Sequence, residues 1–155
     1  MMKTNAMRTL ERAGISYELR RYRLDDDADL AGQVAQALGV APEMIFKTLL
    51  VLADDAPAFA LIPAPTVLDL RQCAAALRAR RAELAPLRRV YELTGYERGS
   101  VTPLAARKPF PVVIDETATL WPVIGISGGA PGCEVLLAPD DLIRLLVART
   151  ADIAR

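Results

Sequence analysis

Segments with helical and with strand-like spacing of apolar residues alternate along this chain and predict a fold that mixes helices with strands. Apolar residues recur at helical spacing in five segments: 5–13, 30–38, 70–77, 86–93 and 139–146. Short apolar or alternating runs predict six strands: 15–22, 46–53, 58–62, 112–115, 123–126 and 134–137. Because helices separate some strands while others follow each other directly, we expect an α/β fold with a mixed sheet rather than a doubly wound parallel one.

The predicted strand at residues 46–53 carries a lysine near its beginning. Residues 49–53 form an apolar run typical of a strand buried on both faces, and residues 54–57 predict a turn into a hairpin partner. An unpaired ammonium is too costly to bury, so Lys47 either reaches solvent or meets an anionic or carbonyl-rich partner. Both interpretations place Lys47 at a rim or in a site.

Composition narrows the chemistry that this chain can use. With 155 residues and no low-complexity linker, a single domain over residues 1–155 is the simplest organisation. The absence of histidine excludes a histidine general base and leaves almost no ligands for a conventional metal site, and no cofactor is expected. Cys73 falls on the apolar side of a predicted helix, which favours buried thiols in a reducing, cytoplasmic compartment over a disulfide. No segment approaches the roughly 18 apolar residues of a membrane span.

The charges of the chain balance, with 19 basic and 19 acidic residues. No overall field therefore attracts nucleic acid, DNA is not an expected partner, and RNA binding would need a local basic patch. Either a solvated helix face or a phosphate-contacting patch explains the arginines near the third and fourth predicted helices. These candidates for RNA binding are Arg78, Arg80, Arg81, Arg88 and Arg89.

Three polar segments are further candidates for function. The acidic run at residues 25–29 lacks the glycine and terminal glutamate of a calcium loop and predicts a helix start instead. Residues 94–104 are rich in glycine and hydroxyl groups and predict a shaped loop. Residues 127–132 begin Ser-Gly-Gly, which fits either a plain turn or a backbone that approaches a carbonyl or phosphate group closely.

Together these segments resemble the YbaK family, also called the prolyl-tRNA synthetase-associated domain. The matching residues are Lys-Thr-Leu-Leu-Val at 47–51, Thr-Gly-Tyr at 94–96, Gly99, Thr-Pro-Leu at 102–104, Ile-Ser-Gly-Gly at 126–129 and Gly132. The resemblance runs over nearly the whole chain and implies a mixed, partly barrel-like sheet surrounded by helices. It also implies a deacylase that hydrolyses mischarged tRNA in trans. In the best-known branch the edited substrate is Cys-tRNA(Pro); Ala-tRNA(Pro) or another small amino acid is the alternative, and prolyl-tRNA synthetase is a candidate partner.

The resemblance also implies a set of site residues. Lys47 corresponds to the family lysine that holds the substrate, and Tyr22 to a tyrosine at the pocket rim. In the family, a further loop lies against the aminoacyl ester and the terminal adenosine. The residues that correspond to this loop complete the expected catalytic set: Ser127, Gly128 and Gly129. The other substrate-binding candidates are Leu30, Thr48, Gly99, Ser100, Pro103 and Glu134. At four positions this chain differs from residues that are common in the family. The family residue is given in parentheses: Leu30 (aromatic in some relatives), Ser100 (often glycine), Pro131 (often basic) and Glu134 (can be aspartate in the cysteine-specific branch). These differences bear on amino-acid specificity more than on activity.

The chemistry implied by the family suits a chain without histidine. An aminoacyl ester is already activated, so a site need only orient it and stabilise the developing oxyanion with amides and a cation. The attacking group is a ribose hydroxyl, the substrate's own thiol or a positioned water, and the sequence leaves that choice open. A non-catalytic module that binds a tRNA end or a synthetase is the alternative function, and the retained Lys47 and Ser127 favour the enzyme.

Overall fold

The computed structural model describes residues 3–23 and 30–155, without the side chains of residues 30–32. The acidic run at residues 25–29, predicted to start a helix, lies outside the described residues. The described helices are α1 (Asn5–Arg12), α2 (Leu30–Leu38), α3 (Leu70–Ala76), α4 (Leu87–Thr94) and α5 (Pro139–Leu146). The described strands are β1 (Tyr17–Arg21), β2 (Phe46–Ala53), β3 (Ala56–Pro63), β4 (Ala82–Leu84), β5 (Val112–Asp115), β6 (Ile124–Ser127), β7 (Cys133–Leu137) and β8 (Arg149–Ala151). None of the helices in this part of the chain is long and apolar enough to cross a membrane.

The described strands pair into two sheets that meet at one close contact. β1, β7 and β6 form an antiparallel sheet in that order. The second sheet has the order β4-β2-β3-β5-β8 and changes from antiparallel to parallel pairing after β3, so the expected mixed α/β fold is confirmed. A parallel bridge joins Ile45 to Gly125, where a Cβ would lie 2.6 Å from Ile45 Cδ1. Only glycine allows the two sheets to approach this closely.

The central hairpin of β2 and β3 is buried on both faces, as its apolar sequence predicts. Phe46, Leu50 and Phe59 belong to a core that extends to α1 and the three-stranded sheet. Val51 belongs to a second cluster on the opposite face, where Cys73 of α3 packs against it. Cys73 and Cys133 are both free and buried, in agreement with the expectation of buried thiols.

The hairpin turn is shorter than the sequence suggested. Asp54 (φ 47°) and Asp55 (φ 68°) form a two-residue turn, and the predicted turn residues Ala56 and Pro57 instead belong to β3. Positive φ at both central residues matches the right-handed twist of a tight hairpin, and aspartate tolerates it better than most residues do. The Asp54 carboxylate accepts hydrogen bonds from the backbone of Arg80 and Arg81, which lower its pKa.

Two short edge strands, β4 and β8, were not predicted from the sequence. Each contains three residues, and all of these are partly or fully exposed, so neither has a hydrophobic period to detect. A 3₁₀ turn at Glu116–Leu120 was missed for the same reason. α3 ends at Ala76, and Arg78 then takes a left-handed conformation with φ 58°.

Asp115 at the end of β5 ties the C-terminal segment to the sheet. Its side chain is 1% exposed, and Oδ1 accepts hydrogen bonds from the backbone N–H groups of Ile153 and Ala154, each at 3.0 Å. Its other oxygen accepts from the backbone and hydroxyl of Thr117. One buried carboxylate therefore satisfies donors from two separate segments.

We expect Asp115→Ala to lower the free energy of unfolding by about 3 kcal/mol, because buried N–H groups would lose their acceptor. Urea denaturation measures the change. The control is Asp152→Ala, which removes an exposed ion pair with Arg155 and is expected to cost about 0.5 kcal/mol. Equal losses in the two variants would contradict the anchoring role of Asp115.

Candidate active site

A cleft of about 370 Å³ opens beside the first half of β2. Residues 45–50 line it, together with residues from β4, α4, the loop after α4, β6 and β7. Of the residues expected in the site, the lining includes Tyr22, Lys47, Thr48, Gly99, Ser127 and Glu134. Six residues from five separate stretches of the sequence therefore converge on one concave surface.

The cleft lies where β2 lacks a second neighbour. β4 pairs only with residues 51–53, and the contact with β6 is a single bridge at Ile45. Across residues 46–50, β2 therefore has β3 on one side and no paired strand on the other among the described residues. An unpaired strand edge presents backbone N–H and C=O groups to whatever lies beside it.

The register shows which backbone groups face the cleft. A two-residue turn makes Ala53 and Ala56 a hydrogen-bonded pair, and hydrogen-bonded pairs then alternate along the hairpin. Thr48 falls at a non-bonded position, so its N–H and C=O point away from β3. The Leu50 carbonyl, two residues on, confirms this direction because it accepts a hydrogen bond from Ala85 N of the β4 side at 2.9 Å. Thr48 therefore offers the cleft a backbone donor and a backbone acceptor.

The Thr48 side chain adds a third polar group. Its hydroxyl oxygen is buried and has no hydrogen-bond partner in the part of the chain that the structure describes. Buried hydroxyl groups are almost always hydrogen-bonded, because an unsatisfied one costs free energy. A residue beside the cleft that keeps an unsatisfied hydroxyl is a candidate for a role in binding rather than in packing.

Lys47 provides positive charge at the same edge. Its side chain is partly buried and lines the cleft, and no ion pair or hydrogen bond engages it within residues 3–23 and 30–155. Of the two alternatives that the sequence left open, this position agrees with a lysine that serves a site. Its ammonium is available to an anionic or carbonyl group that enters the cleft.

Glu134 and Tyr22 are both held in their neutral forms. Glu134 is 3% exposed, and burial raises its pKa to about 8. Burial, together with the nearby Glu134 carboxyl, raises the pKa of Tyr22 to about 12. At neutral pH the cleft therefore contains a protonated carboxyl and a phenol that can both donate hydrogen bonds. Lys47 and Arg98 supply its formal charges.

The two glycines of the 127–129 loop do not line the cleft. Gly128 N donates to Cys133 O at 3.0 Å, and Gly129 N donates to the Ser127 hydroxyl at 3.2 Å. Both amides therefore already have acceptors within the protein, and the expected catalytic role of the two glycines stays a prediction. The glycines instead shape the turn, since Gly129 has φ +89° and a Cβ on Gly128 would lie 3.3 Å from Cys133 Cβ.

Comparison with known proteins identifies the family. Residues 25–145 match the model of the aminoacyl-tRNA editing domain. The chain belongs to the aminoacyl-tRNA editing domain family. EbsC of Enterococcus faecalis, assigned as a Cys-tRNA(Pro)/Cys-tRNA(Cys) deacylase, is 34% identical over 152 residues, which cover 97% of this chain and 93% of that protein. The resemblance to the YbaK family is thereby confirmed, and membership supports the expected activity of an aminoacyl-tRNA deacylase.

Solved structures agree with this membership of the editing-domain family. One, described as a trans-editing enzyme for prolyl-tRNA synthetase, superposes with a TM-score of 0.86 at 25% identity and covers 100% of this chain and 99% of its own. The hypothetical protein APE2540 gives a TM-score of 0.88 at 24% identity, covering 98% of this chain and 100% of its own. The second similarity concerns the fold alone.

The cleft lining does not include two further expected site residues of this editing domain, Ser100 and Pro103. Ser100 is buried and donates a hydrogen bond to Glu97 O, and Pro103 is buried outside the lining. Leu30 begins α2, but its side chain lies outside the described residues. Their expected contacts with substrate remain predictions.

Several lining residues were missed in the sequence. Leu84 and Leu87 are 53% and 64% exposed at the cleft, and Arg98 adds a cation from the glycine-rich loop. Leu84 gave no signal because β4 itself was not predicted, and Leu87 lies at the start of the predicted fourth helix, whose apolar period did not distinguish it as a cleft residue. A lone arginine between Gly95 and Gly99 was the one available hint for the loop. Among residues 3–23 and 30–155, no group of three or more potential ligands could hold a metal ion.

Removal of the Thr48 hydroxyl tests whether that group serves a ligand. We expect Thr48→Val to leave the free energy of unfolding unchanged or raise it by up to about 1 kcal/mol, because a buried unsatisfied hydroxyl disappears. Deacylation should nevertheless fall about tenfold. Thr48→Ser, which keeps the hydroxyl, is the control and should retain most of the activity. A valine variant that is less stable by more than about 1 kcal/mol would show that the hydroxyl has a partner within the protein.

The raised pKa of Glu134 predicts a pH-dependent stability. Because its pKa rises from 4.5 to about 8, the folded protein holds an extra proton between these values. The resulting stabilisation is complete below pH 4.5, declines through this window and is lost above pH 8. We expect Glu134→Gln to abolish most of this decline, which amounts to roughly 3 to 5 kcal/mol. Urea unfolding across the window checks this, and parallel curves for the two proteins would contradict it.

Proposed function

We propose that this editing domain removes cysteine, or another small amino acid, from mischarged proline tRNA. The observation that carries the proposal is the open edge of β2, where Lys47 lines one cleft and the Thr48 N–H and C=O point toward it without protein partners among the described residues. Such an edge suits a ligand that has both acceptors and donors, as an aminoacyl ester does. The name of the Enterococcus faecalis relative supports cysteine as the amino acid and proline tRNA as the carrier.

The cations and hydrogen-bond donors of the cleft suit the oxyanion that develops during ester cleavage. Attack on the ester carbonyl places negative charge on its oxygen, and preorganised cations and N–H donors stabilise that charge most effectively in a partly dry site. Lys47 and the Thr48 amide are suited to this role, and the Thr48 carbonyl can accept a hydrogen bond from the substrate's α-ammonium. Since Glu134 is largely neutral at pH 7, it does not oppose the negative charge.

A nucleophile supplied by the substrate or by water agrees with the residues of the cleft. Ser127 lines it, but the chain has no histidine to activate a serine. In its proposed role Ser127 holds the loop, because its hydroxyl already accepts from Gly129 N. The attacking group is then water, a ribose hydroxyl or the cysteine thiol, and the last of these would make the reaction a cyclisation specific to cysteine.

Recognition of tRNA is proposed to depend on arginines and on a partner. Arg88 and Arg89 lie on α4 between Leu87 and Val90, which line the cleft, whereas Arg78, Arg80 and Arg81 lie on the connection from α3 to β4. With a formal charge of zero, affinity for tRNA is expected to be weak and salt-sensitive. Prolyl-tRNA synthetase in the cytoplasm could present the charged end at high effective concentration. The description of one structural neighbour supports this partner.

We expect Lys47→Ala to lower kcat/KM for mischarged tRNA at least tenfold without a change in thermal unfolding, because the ammonium serves the ligand rather than the core. Deacylation of a panel of mischarged tRNAs and a melting curve provide the two measurements. Lys108→Ala, which removes an exposed lysine outside the cleft, is the matched control. Turnover within about threefold of wild type would show that Lys47 is structural. If the wild-type protein releases no amino acid from any tRNA, the alternative function, a non-catalytic binding module, is the one that remains.

A further inference from the structure

A second cavity lies next to the cleft along the 127–129 loop. Its volume is about 420 Å³; Gly129 lines it, whereas Ser127 lines the cleft. The cations in its wall are Lys3, Arg8 and Arg107, and none of its lining residues is acidic. We call it the basic cavity. In a chain whose charges otherwise balance, this is a local concentration of one sign.

Two of the three positive charges, those of Arg8 and Arg107, form no direct ion pair among the described residues, although the Glu11 carboxylate also interacts with Arg8 at longer range. Lys3 forms a 2.6 Å ion pair with Glu11. Arg8 donates to the neutral amide oxygen of Asn5 at 3.0 Å, and no ion pair engages Arg8 or Arg107 within residues 3–23 and 30–155. Hydrogen bonds to neutral oxygens orient a guanidinium without cancelling its charge, so Arg8 and Arg107 can both attract an anion.

Arg107 is held in place before any ligand arrives. Its guanidinium lies 5.1 Å from the Tyr91 ring centroid and donates to Glu92 O at 3.2 Å. Its side chain also packs over Gly95, where a Cβ would lie 3.0 Å from Arg107 Nε. An arginine already ordered by stacking and packing loses little conformational entropy when it binds a phosphate, which favours affinity.

We propose that the basic cavity binds a backbone phosphate of the RNA strand whose 3′ end occupies the cleft. This inference rests on the proposed function. Ser127 and Gly129 are two residues apart, which limits the separation of their Cα atoms to about 7 Å. The Thr4 hydroxyl donates to Gly128 O at 2.6 Å and fixes the wall of the cavity to the loop. A strand that leaves the cleft past Ser127 therefore meets Arg8 and Arg107 with its nearest phosphates.

The test compares a substrate that has the phosphates with one that does not. In the Arg8→Gln/Arg107→Gln variant, kcat/KM for mischarged tRNA should fall about tenfold through KM, and the salt dependence of tRNA binding should weaken by about one unit of slope for each lost contact. Hydrolysis of an aminoacyl-adenosine, which carries no phosphate, should change less than twofold. An equal loss with both substrates would overturn the proposal.

Matched controls separate this site from general charge effects. Arg12 lies on the same helix, is exposed and does not line the cavity, so Arg12→Gln should leave both substrates unaffected. If the double variant does not fold, the single variant Arg8→Gln still tests the site. It is expected to fold, because the Arg8 side chain donates only to the exposed Asn5 among the described residues. A loss in Arg12→Gln as large as in Arg8→Gln would contradict a specific phosphate site.

A binding measurement keeps the inference independent of catalysis. If the wild-type protein hydrolyses no tRNA, the proposed function fails, but fluorescence anisotropy with uncharged tRNA still tests the cavity. Weaker binding by the double variant and not by Arg12→Gln supports the proposal, and equal binding by all three proteins overturns it. Millimolar inorganic phosphate should inhibit tRNA turnover little. Strong inhibition of the wild type alone would assign the cavity to free phosphate instead.

Discussion

The unpaired stretch of β2 is the constraint on which the site depends. Its other edge is fully used by β3, and the hairpin is buried on both faces, so the strand cannot shift to satisfy its free groups. Among the described residues, β6 pairs with this edge only through the bridge of Gly125 to Ile45, and β4 begins only at the level of Val51. A rigid edge is therefore held open between two sheets, which is a preorganised place for a ligand backbone or ester.

Burial at this edge decides which groups carry charge. Lys47 retains access to the cleft, whereas Glu134 on β7 is enclosed and its pKa is raised to about 8. A carboxylate with an ordinary pKa at this position would neutralise the lysine and weaken its attraction for a carbonyl oxygen. The depth of Glu134 thus keeps the cleft positive at neutral pH. The burial of Glu134 lowers the stability of the fold at higher pH, where folding must desolvate an ionised carboxyl.

The long periodic elements could be predicted from the sequence, and one residue of the cleft, Lys47, stood out on them. Lys47 was detectable because a cation interrupts an apolar strand, and α3 because Asp69 caps its helical period. The arrangement of the 127–129 amides could not be predicted, since the sequence Ser-Gly-Gly suits a turn and an anion cradle equally. β4 escaped detection because three exposed residues have no period, and its Leu84 was lost from the predicted site with it.

The basic cavity shows why zero net charge says little about RNA binding. Counterion release depends on the cations that contact phosphates, and a field that is screened within about 8 Å leaves distant acidic residues with little influence. Arg8 and Arg107 come from segments almost one hundred residues apart and line one cavity, beside which the hydrogen bond from Thr4 to Gly128 O holds the start of α1 against the 127–129 loop. The same loop forms one wall of the candidate active-site cleft through Ser127. A contact that holds the fold together thus also sets the spacing between the proposed phosphate site and the ester.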